Sequence, residues 1–318
     1  MTTTLPEPPA DLGLGLEREV PLSRHTYMRI GGPAAYFGTP EDLAQFERIA
    51  TWAREHALRL RILGGGSNVC VSDEGVRDVV ISLRRACGQI AFDGVEVTAG
   101  AAVMLPALAR AAAERDLGGL EFAIGIPGSV GGALQTNAGI GDGRCIGDLV
   151  RSVKVWRASS RETSGHVTLP AEAITFEYRN TSLHHSEDLV LGATLSLVPR
   201  PRAEIDAEMR RLLEARQRTQ PTAEPNAGSI FRNPPDDSAG RLIEAAGCKD
   251  LAVGHAKVST LHANFIVHDG RGTVADIAAV MAEVQRRVLD ASGVRLRPEV
   301  EWWGDGPPPL AWQLPSET

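Results

Sequence analysis

Leu63-Gly64-Gly65-Gly66-Ser67-Asn68 closes the run LRLRIL (58–63), which reads as a strand. Three consecutive glycines cost backbone entropy and pack nothing. They make sense where main-chain N–H groups must close on an anion with no side chain in the way, and Ser67 and Asn68 add side-chain donors. A lone Gly-Gly-Gly is most simply a flexible turn. A second stretch alters that reading: Gly125-Ile126-Pro127-Gly128-Ser129-Val130-Gly131-Gly132, followed by Gln135-Thr136-Asn137-Ala138-Gly139. Two glycine-rich loops bearing Ser and Asn suit an extended dinucleotide held by main-chain donors. Neither carries the G-x-G-x-x-G fingerprint or the G-x-x-x-x-G-K-[ST] phosphate loop, so a different nucleotide fold is required.

Around these loops the pattern alternates between strands and helices. Pro40-Glu41-Asp42 opens a helix over 42–56 with Leu43, Phe46, Ile49 and Ala50 at helical spacing. Strand signals follow at 76–83 and in a hairpin turning at Asp93-Gly94, then a helix over 104–115. Strands are predicted at 150–156 and 189–197, and a charged connecting helix at 203–218. Beyond it come helix 239–246, strand 264–268, helix 274–291 and strand 294–303. Ile277, Val280, Met281, Val284 and Val288 form one apolar stripe, which is core. The class is α+β. The predicted division is a tail at 1–20, sub-domains at 21–75 and 76–200, a third domain at 201–304 and a tail at 305–318, both tails being poorly ordered.

The 318 residues are 43% hydrophobic and 23% charged, ordinary for a globular protein. A net charge of −7 without a Lys/Arg block argues against nucleic-acid binding. The N-terminus lacks the basic start and apolar run of a signal peptide, and no stretch approaches the ~20 apolar residues of a membrane span. Cys70, Cys87, Cys145 and Cys248 lie far apart, reading as thiols in a reducing compartment. No histidine pair has metal-ligand spacing, so no metal is indicated. A cytoplasmic monomer acting on a small molecule is expected.

HTYMRIGGPA (25–34), ILGGGSN (62–68), GLEFAIGIPGSVGGALQTNAG (119–139), FEYRNTSL (176–183), NAGSIFRNP (226–234), AGRLIEAAG (239–247), HANFIV (262–267) and RPEVEWWG (297–304) occur in that order. Together they resemble the MurB family of UDP-N-acetylenolpyruvoylglucosamine reductases, over roughly residues 20–304. The resemblance implies an FAD-binding fold of the vanillyl-alcohol-oxidase (PCMH) type in two sub-domains, followed by a C-terminal α+β substrate domain. The short interval from Arg179 to Ser229 resembles the type II form, without an inserted tyrosine-bearing loop. FAD would be non-covalent, with NADPH as co-substrate. The reaction implied reduces UDP-N-acetylglucosamine enolpyruvate to UDP-N-acetylmuramate in peptidoglycan synthesis.

By the same resemblance, Arg29, Ile30 and Gly31 lie under the cofactor. Leu63, Gly64, Gly65, Gly66, Ser67 and Asn68 hold its pyrophosphate, with Ile126, Pro127, Gly128, Ser129 and Gly132. Thr136, Asn137, Ala138 and Gly139 lie near the flavin. Arg179 matches the arginine that pairs with the substrate carboxylate. Ser229 matches the proton donor to the α-carbon. Glu299 matches a glutamate polarising that carboxylate, acting protonated. Arg232, Asn233, His262 and Asn264 are expected in the substrate site. Arg232 stands where many relatives have lysine, Trp302-Trp303 where aliphatic residues are common, and His184-His185 where an aromatic is common. Two other readings are an oxidase of the same superfamily, which often tethers FAD to a His or Cys near the first loop, where Cys70 lies, and a catalytically silent flavin-binding module.

Overall fold

Asp42 starts helix α1 (Leu43–Glu55) by accepting a 2.8 Å hydrogen bond from the Gln45 N–H, an N-cap that satisfies one orphan donor. Phe46, Ile49, Ala50 and Ala53 form its buried face. The computed structural model describes residues 5–157, 165–184 and 186–313, so His185 lies outside the described residues. A four-stranded sheet has the order Leu16–Pro21, Pro33–Gly38, Val76–Ile81, Leu60–Ile62, the last pair running parallel.

The chain divides into two units. The first comprises the residues up to Arg18, with Tyr36–Gly65 and Asp78–Glu214. The second comprises Glu19–Ala35, Gly66–Arg77 and the chain from Ala215 onward. The sequence boundaries after residues 75 and 200 are consecutive, whereas these units are interleaved. Contacts between segments more than two hundred residues apart assemble the second unit, and local patterning carries no trace of them.

In the first unit a five-stranded antiparallel sheet has the order His166–Pro170, Val150–Trp156, Leu189–Ser196, Glu96–Gly100, Ile90–Asp93. Val97, Ala99, Val153, Val155, Ala193 and Leu195 are all buried in it, as period-two alternation requires. Its hairpin turns at Gly94-Val95, one residue beyond the expected Asp93-Gly94, because Asp93 pairs with Glu96. Helix α2 (Leu105–Ala113) carries Pro in its first turn, where a missing N–H costs nothing. Helix α3 (Val130–Thr136) packs on strands Glu96–Gly100 and Leu189–Ser196. Helix α4 (Arg202–Thr219) buries only Ile205 and Met209 among its side chains, and half of its eighteen residues are charged, as a connector should be.

In the second unit, helices α5 (Ala239–Ala245) and α6 (Val274–Ser292) share a core with a three-stranded sheet, Ala252–Val253, Ala256–Val258 and Ile266–His268. The predicted stripe Ile277, Val280, Met281, Val284 and Val288 is buried. Thr273 and Asp276 form a capping box, and Gly293 ends the helix at φ 72°. Asp73 adds a second cap, its two carboxylate oxygens accepting from Val274 N–H (3.0 Å) and Ala275 N–H (3.2 Å). Strand Glu301–Trp303 pairs in parallel with Val69–Val71.

Three expectations need correction. The strand predicted over 294–303 is only Glu301–Trp303, with a single bridge from Phe231 to Pro298; a proline cannot donate to a ladder. The presumed tail at 1–20 contains strand Leu16–Pro21. The presumed tail at 305–318 contains a 3-10 turn, Leu310–Trp312, whose Trp312 packs on Trp302 at 5.3 Å and donates to the Val300 carbonyl at 2.8 Å. Pro and Gly content masked these contacts.

Candidate active site

In the first unit, Leu63 is buried and its N–H donates to the Ile81 carbonyl at 2.8 Å just past the strand end. A Cβ on Gly64 would lie 2.4 Å from Ser129 Oγ, and one on Gly65 would lie 3.3 Å from both Gly128 Cα and the Pro127 carbonyl. The two glycine loops therefore touch, and only glycine permits that approach. The second loop is fixed from behind: Leu105 N–H donates to the Gly128 carbonyl (2.8 Å) and Val130 N–H to the Val103 carbonyl (2.8 Å). Ile126 and Pro127 form the loop, and buried Ser129 caps α3 by accepting from Gly132 N–H at 3.4 Å.

Along the first loop, the N–H groups of Gly64, Gly65, Gly66, Ser67 and Asn68 find no acceptor among the described residues. Unpaired main-chain donors on a segment without bulky side chains suit an anion, so the residues present in each unit fit the expected FAD. In the second unit, Gly66 sits at φ 64° with a Cβ position only 2.2 Å from the His25 carbonyl. Its own carbonyl accepts from Tyr27 N–H at 2.9 Å. Arg29 is exposed at φ 56°, Ile30 is buried, and a Cβ on Gly31 would press on Val71 at 2.8 Å.

Arg179 belongs to the first unit. Strands Phe176–Glu177 and Asn180–Thr181 pair with a two-residue turn at Tyr178-Arg179. That turn holds Arg179 at φ 54°, a left-handed backbone that costs a non-glycine residue roughly 1–2 kcal/mol. The Arg179 guanidinium donates to the Gly139 carbonyl at 3.0 Å. Two buried side chains fasten the hairpin to the last turn of α3 and to its C-cap. Asn137, itself at φ 45° and 8% exposed, donates to the Glu177 carbonyl (3.1 Å) and accepts from Gly147 N–H (3.0 Å). Thr181 Oγ1 lies 3.0 Å from the Leu134 carbonyl and 3.2 Å from that of Gln135, with one proton to donate between them. Thr136, by contrast, only donates back to the Gly132 carbonyl, while Ala138 N–H donates to the Ala133 carbonyl. Arg29, Asn137 and Arg179 thus share left-handed backbones, a form of strain that concentrates at functional sites.

Ser229 and Glu299 both belong to the second unit, and their backbones are adjacent. The Glu299 N–H donates to the carbonyl of Ile230, the residue after Ser229, at 2.7 Å. The Glu299 carbonyl accepts from Asn68 Nδ2 at 3.2 Å. On the other side of the segment, Ile230 N–H donates to the Asn264 carbonyl (3.0 Å). The Asn264 side chain accepts from Phe231 N–H (3.0 Å) and donates to the Phe231 carbonyl (2.8 Å). Expected as a sugar contact, Asn264 is 4% exposed and spends its amide on the main chain.

The other expected substrate residues differ in what they leave available. Arg232 N–H donates to the Arg297 carbonyl at 2.9 Å, and its buried Nε has no partner among the described residues. Asn233 Oδ1 accepts from Ala239 N–H at 3.0 Å, at the start of α5, which leaves its amide donors. His262 stacks edge-on against Phe265 at 4.9 Å, and burial lowers its imidazole pKa below the ordinary 6.5. His262 Nδ1 accepts from Asn264 N–H at 3.2 Å. The clamps made by Asn137, Thr181 and Asn264 escaped sequence reasoning because an amide bound to a distant main chain leaves no spacing signal. Among the described residues no His/Cys/Asp/Glu group could hold a metal, and no helix is long and apolar enough to cross a membrane.

Comparison with known proteins is consistent along the chain. The FAD binding domain family matches residues 34–163, and the C-terminal domain family of UDP-N-acetylenolpyruvoylglucosamine reductase matches 220–303. UDP-N-acetylenolpyruvoylglucosamine reductase 2 of Symbiobacterium thermophilum is 45% identical over 292 residues, 92% of this chain and 93% of the relative. The reductase of Moorella thermoacetica is 43% identical, covering 93% of this chain and 97% of its own. The crystal structure of the Thermus caldophilus reductase (MurB) is similar with a TM-score of 0.75 and 35% identity, over 91% of this chain and 99% of that one. With its α+β fold and an FAD binding domain followed by the matched C-terminal domain, the chain belongs to the UDP-N-acetylenolpyruvoylglucosamine reductase family.

Proposed function

We propose that the chain is a type II, FAD-dependent reductase that uses NADPH to convert UDP-N-acetylglucosamine enolpyruvate into UDP-N-acetylmuramate. The observation that carries this reading is the backbone bond joining the Ser229 segment to Glu299 at 2.7 Å, which ties a proton donor to a carboxylate-recognising group. FAD, when bound, supplies to the enolpyruvyl β-carbon a hydride taken from NADPH. Negative charge then develops on the α-carbon and its carboxylate, and the protein must meet it with preorganised donors. Arg179 pairs with the carboxylate through its planar fork. Within the second unit, Glu299, protonated, polarises the enolpyruvyl carboxylate, and Ser229 delivers its hydroxyl proton to the α-carbon. Arg232, with an unspent buried Nε–H, binds an anionic part of the nucleotide sugar.

An oxidase with tethered flavin is disfavoured by Cys70, which is fully buried with its thiol pKa pushed up by that burial. The reading includes a monomer in the cytoplasm, in keeping with four free cysteines. Stopped-flow absorbance at the flavin band tests it. Enzyme reduced anaerobically with NADPH should regain oxidised flavin rapidly when mixed with UDP-N-acetylglucosamine enolpyruvate. Reoxidation by oxygen alone would overturn it in favour of an oxidase.

A further inference from the structure

We infer that Asn264 is a positioning residue for Ser229, acting through the backbone of residues 230–231; the inference rests on the proton-donor reading of Ser229. The segment from Ile230 to Arg232 is held on both sides. Glu299 N–H bonds to the Ile230 carbonyl (2.7 Å) and Arg232 N–H to the Arg297 carbonyl (2.9 Å) on one side. On the other, Asn264 supplies all three contacts: its own carbonyl to Ile230 N–H, and its amide oxygen and nitrogen to Phe231 N–H and C=O. One residue, through its main-chain carbonyl and its side-chain amide, thus takes the place of a strand neighbour. Burying an amide is costly unless it is hydrogen-bonded, and here both its oxygen and its nitrogen are used on Phe231.

Ile230 and Phe231 are 0% and 1% exposed, so the segment is anchored in the core immediately after Ser229. Before it, Gly228 turns at φ 75° with its N–H on Asn226 Oδ1 at 2.9 Å. Ser229 is therefore the one residue between a fixed turn and a three-point clamp. A serine hydroxyl is a weak acid at neutral pH, and its proton transfer depends steeply on alignment. Asn264 supplies that alignment without touching the substrate.

The test is a double-mutant cycle read in the two half-reactions. Asn264→Ala should slow flavin reoxidation by UDP-N-acetylglucosamine enolpyruvate on the order of 10–100-fold, the scale of a misplacement near 1 Å. Flavin reduction by NADPH and FAD content should stay at wild-type values. In a Ser229→Ala background the same change should cost nothing further, because the group it aligns is gone. Asn264→Asp, which keeps the oxygen facing Phe231 N–H but sets an acceptor against the Phe231 carbonyl, should slow reoxidation at least as much as Asn264→Ala. Additive losses in the double mutant, or equal slowing of both half-reactions, would overturn the inference while leaving Ser229 in place. A Ser229→Ala enzyme reoxidised at the wild-type rate would instead remove the proton-donor role, and this inference with it. If Asn264→Ala does not fold, Asn264→Asp carries the same cycle. Failure of both to fold with FAD would make Asn264 a general core residue and overturn the inference too.

Discussion

Arg179 donates from its guanidinium to the main-chain carbonyl of Gly139 at 3.0 Å, which ties the arginine hairpin to the segment that follows α3. Replacing Arg179 with Ala should retain FAD while lowering kcat/KM for the enolpyruvyl substrate roughly 10–100-fold, the worth of a charge-assisted hydrogen bond of about 1.5–3 kcal/mol. Lys at this position should recover only part of it. Arg179→Gly offers a cleaner separation. It should match Arg179→Ala in activity yet melt as though about 1 kcal/mol more stable, because glycine accepts φ 54° without strain. Steady-state kinetics beside thermal melts of the two variants decide this.

Gly64 faces Ser129 Oγ at a separation that no Cβ could share. Gly64→Ala should force the two glycine loops apart and weaken FAD binding at least tenfold, about 1.4 kcal/mol. The ratio of flavin to protein absorbance after dilution measures it. A purified variant with full flavin content would contradict the contact.

Asp73 caps α6 from a distant part of the chain, with both carboxylate oxygens on the first helical amides. Asp73→Ala should destabilise the second unit by about 1–2 kcal/mol. Asp73→Asn, which keeps one acceptor, should lose less. Urea unfolding followed by tryptophan fluorescence reads the difference through Trp302, Trp303 and Trp312.

Glu208 receives Arg211 and Arg144, and Arg144 also pairs with Asp142 in the loop after Gly139. Hydrogen bonding from Arg211, then from Arg144, lowers its carboxyl from an ordinary 4.5 to about 2 despite an opposing desolvation. A pKa lowered in the folded state means stability fully present above pH 4.5 and lost as pH falls toward 2. Glu208→Gln should therefore cost about 1 kcal/mol at neutral pH, since both arginines are partly exposed and screened. It should also flatten the acid limb of the Tm profile in that window.

Much of the fold was legible because its helices carry strong local signals. The buried stripe and caps of α1 and α6 mark their ends to within a residue or so. Helix α3 was not legible, since Val130-Gly131-Gly132-Ala133 is a poor helix former. It forms through tertiary packing, with Ser129 as its cap and Val130, Ala133 and Leu134 buried, while Gly131 leaves room for Ala101 at a Cβ position 3.0 Å from the Ala101 Cβ. In the candidate site, residue identity was legible through ordered motifs and residue duty was not. Asn264 looked like a ligand contact because polar residues in such motifs usually are. Only three-dimensional placement shows its amide committed to Phe231.

The parallel pair between Val69–Val71 and Glu301–Trp303 also has a bearing on biosynthesis. A ribosome releases the first of these strands long before it has made the second. At 5–20 residues per second the gap is roughly 10–50 s. Throughout that interval the Val-Cys-Val strand lacks the partner that fills its edge, and once Glu214 has been made the nascent chain is long enough to fold its first unit. Late completion by a distant strand makes the C-terminal residues the final closure of the second unit and exposes an apolar edge to other chains while translation proceeds.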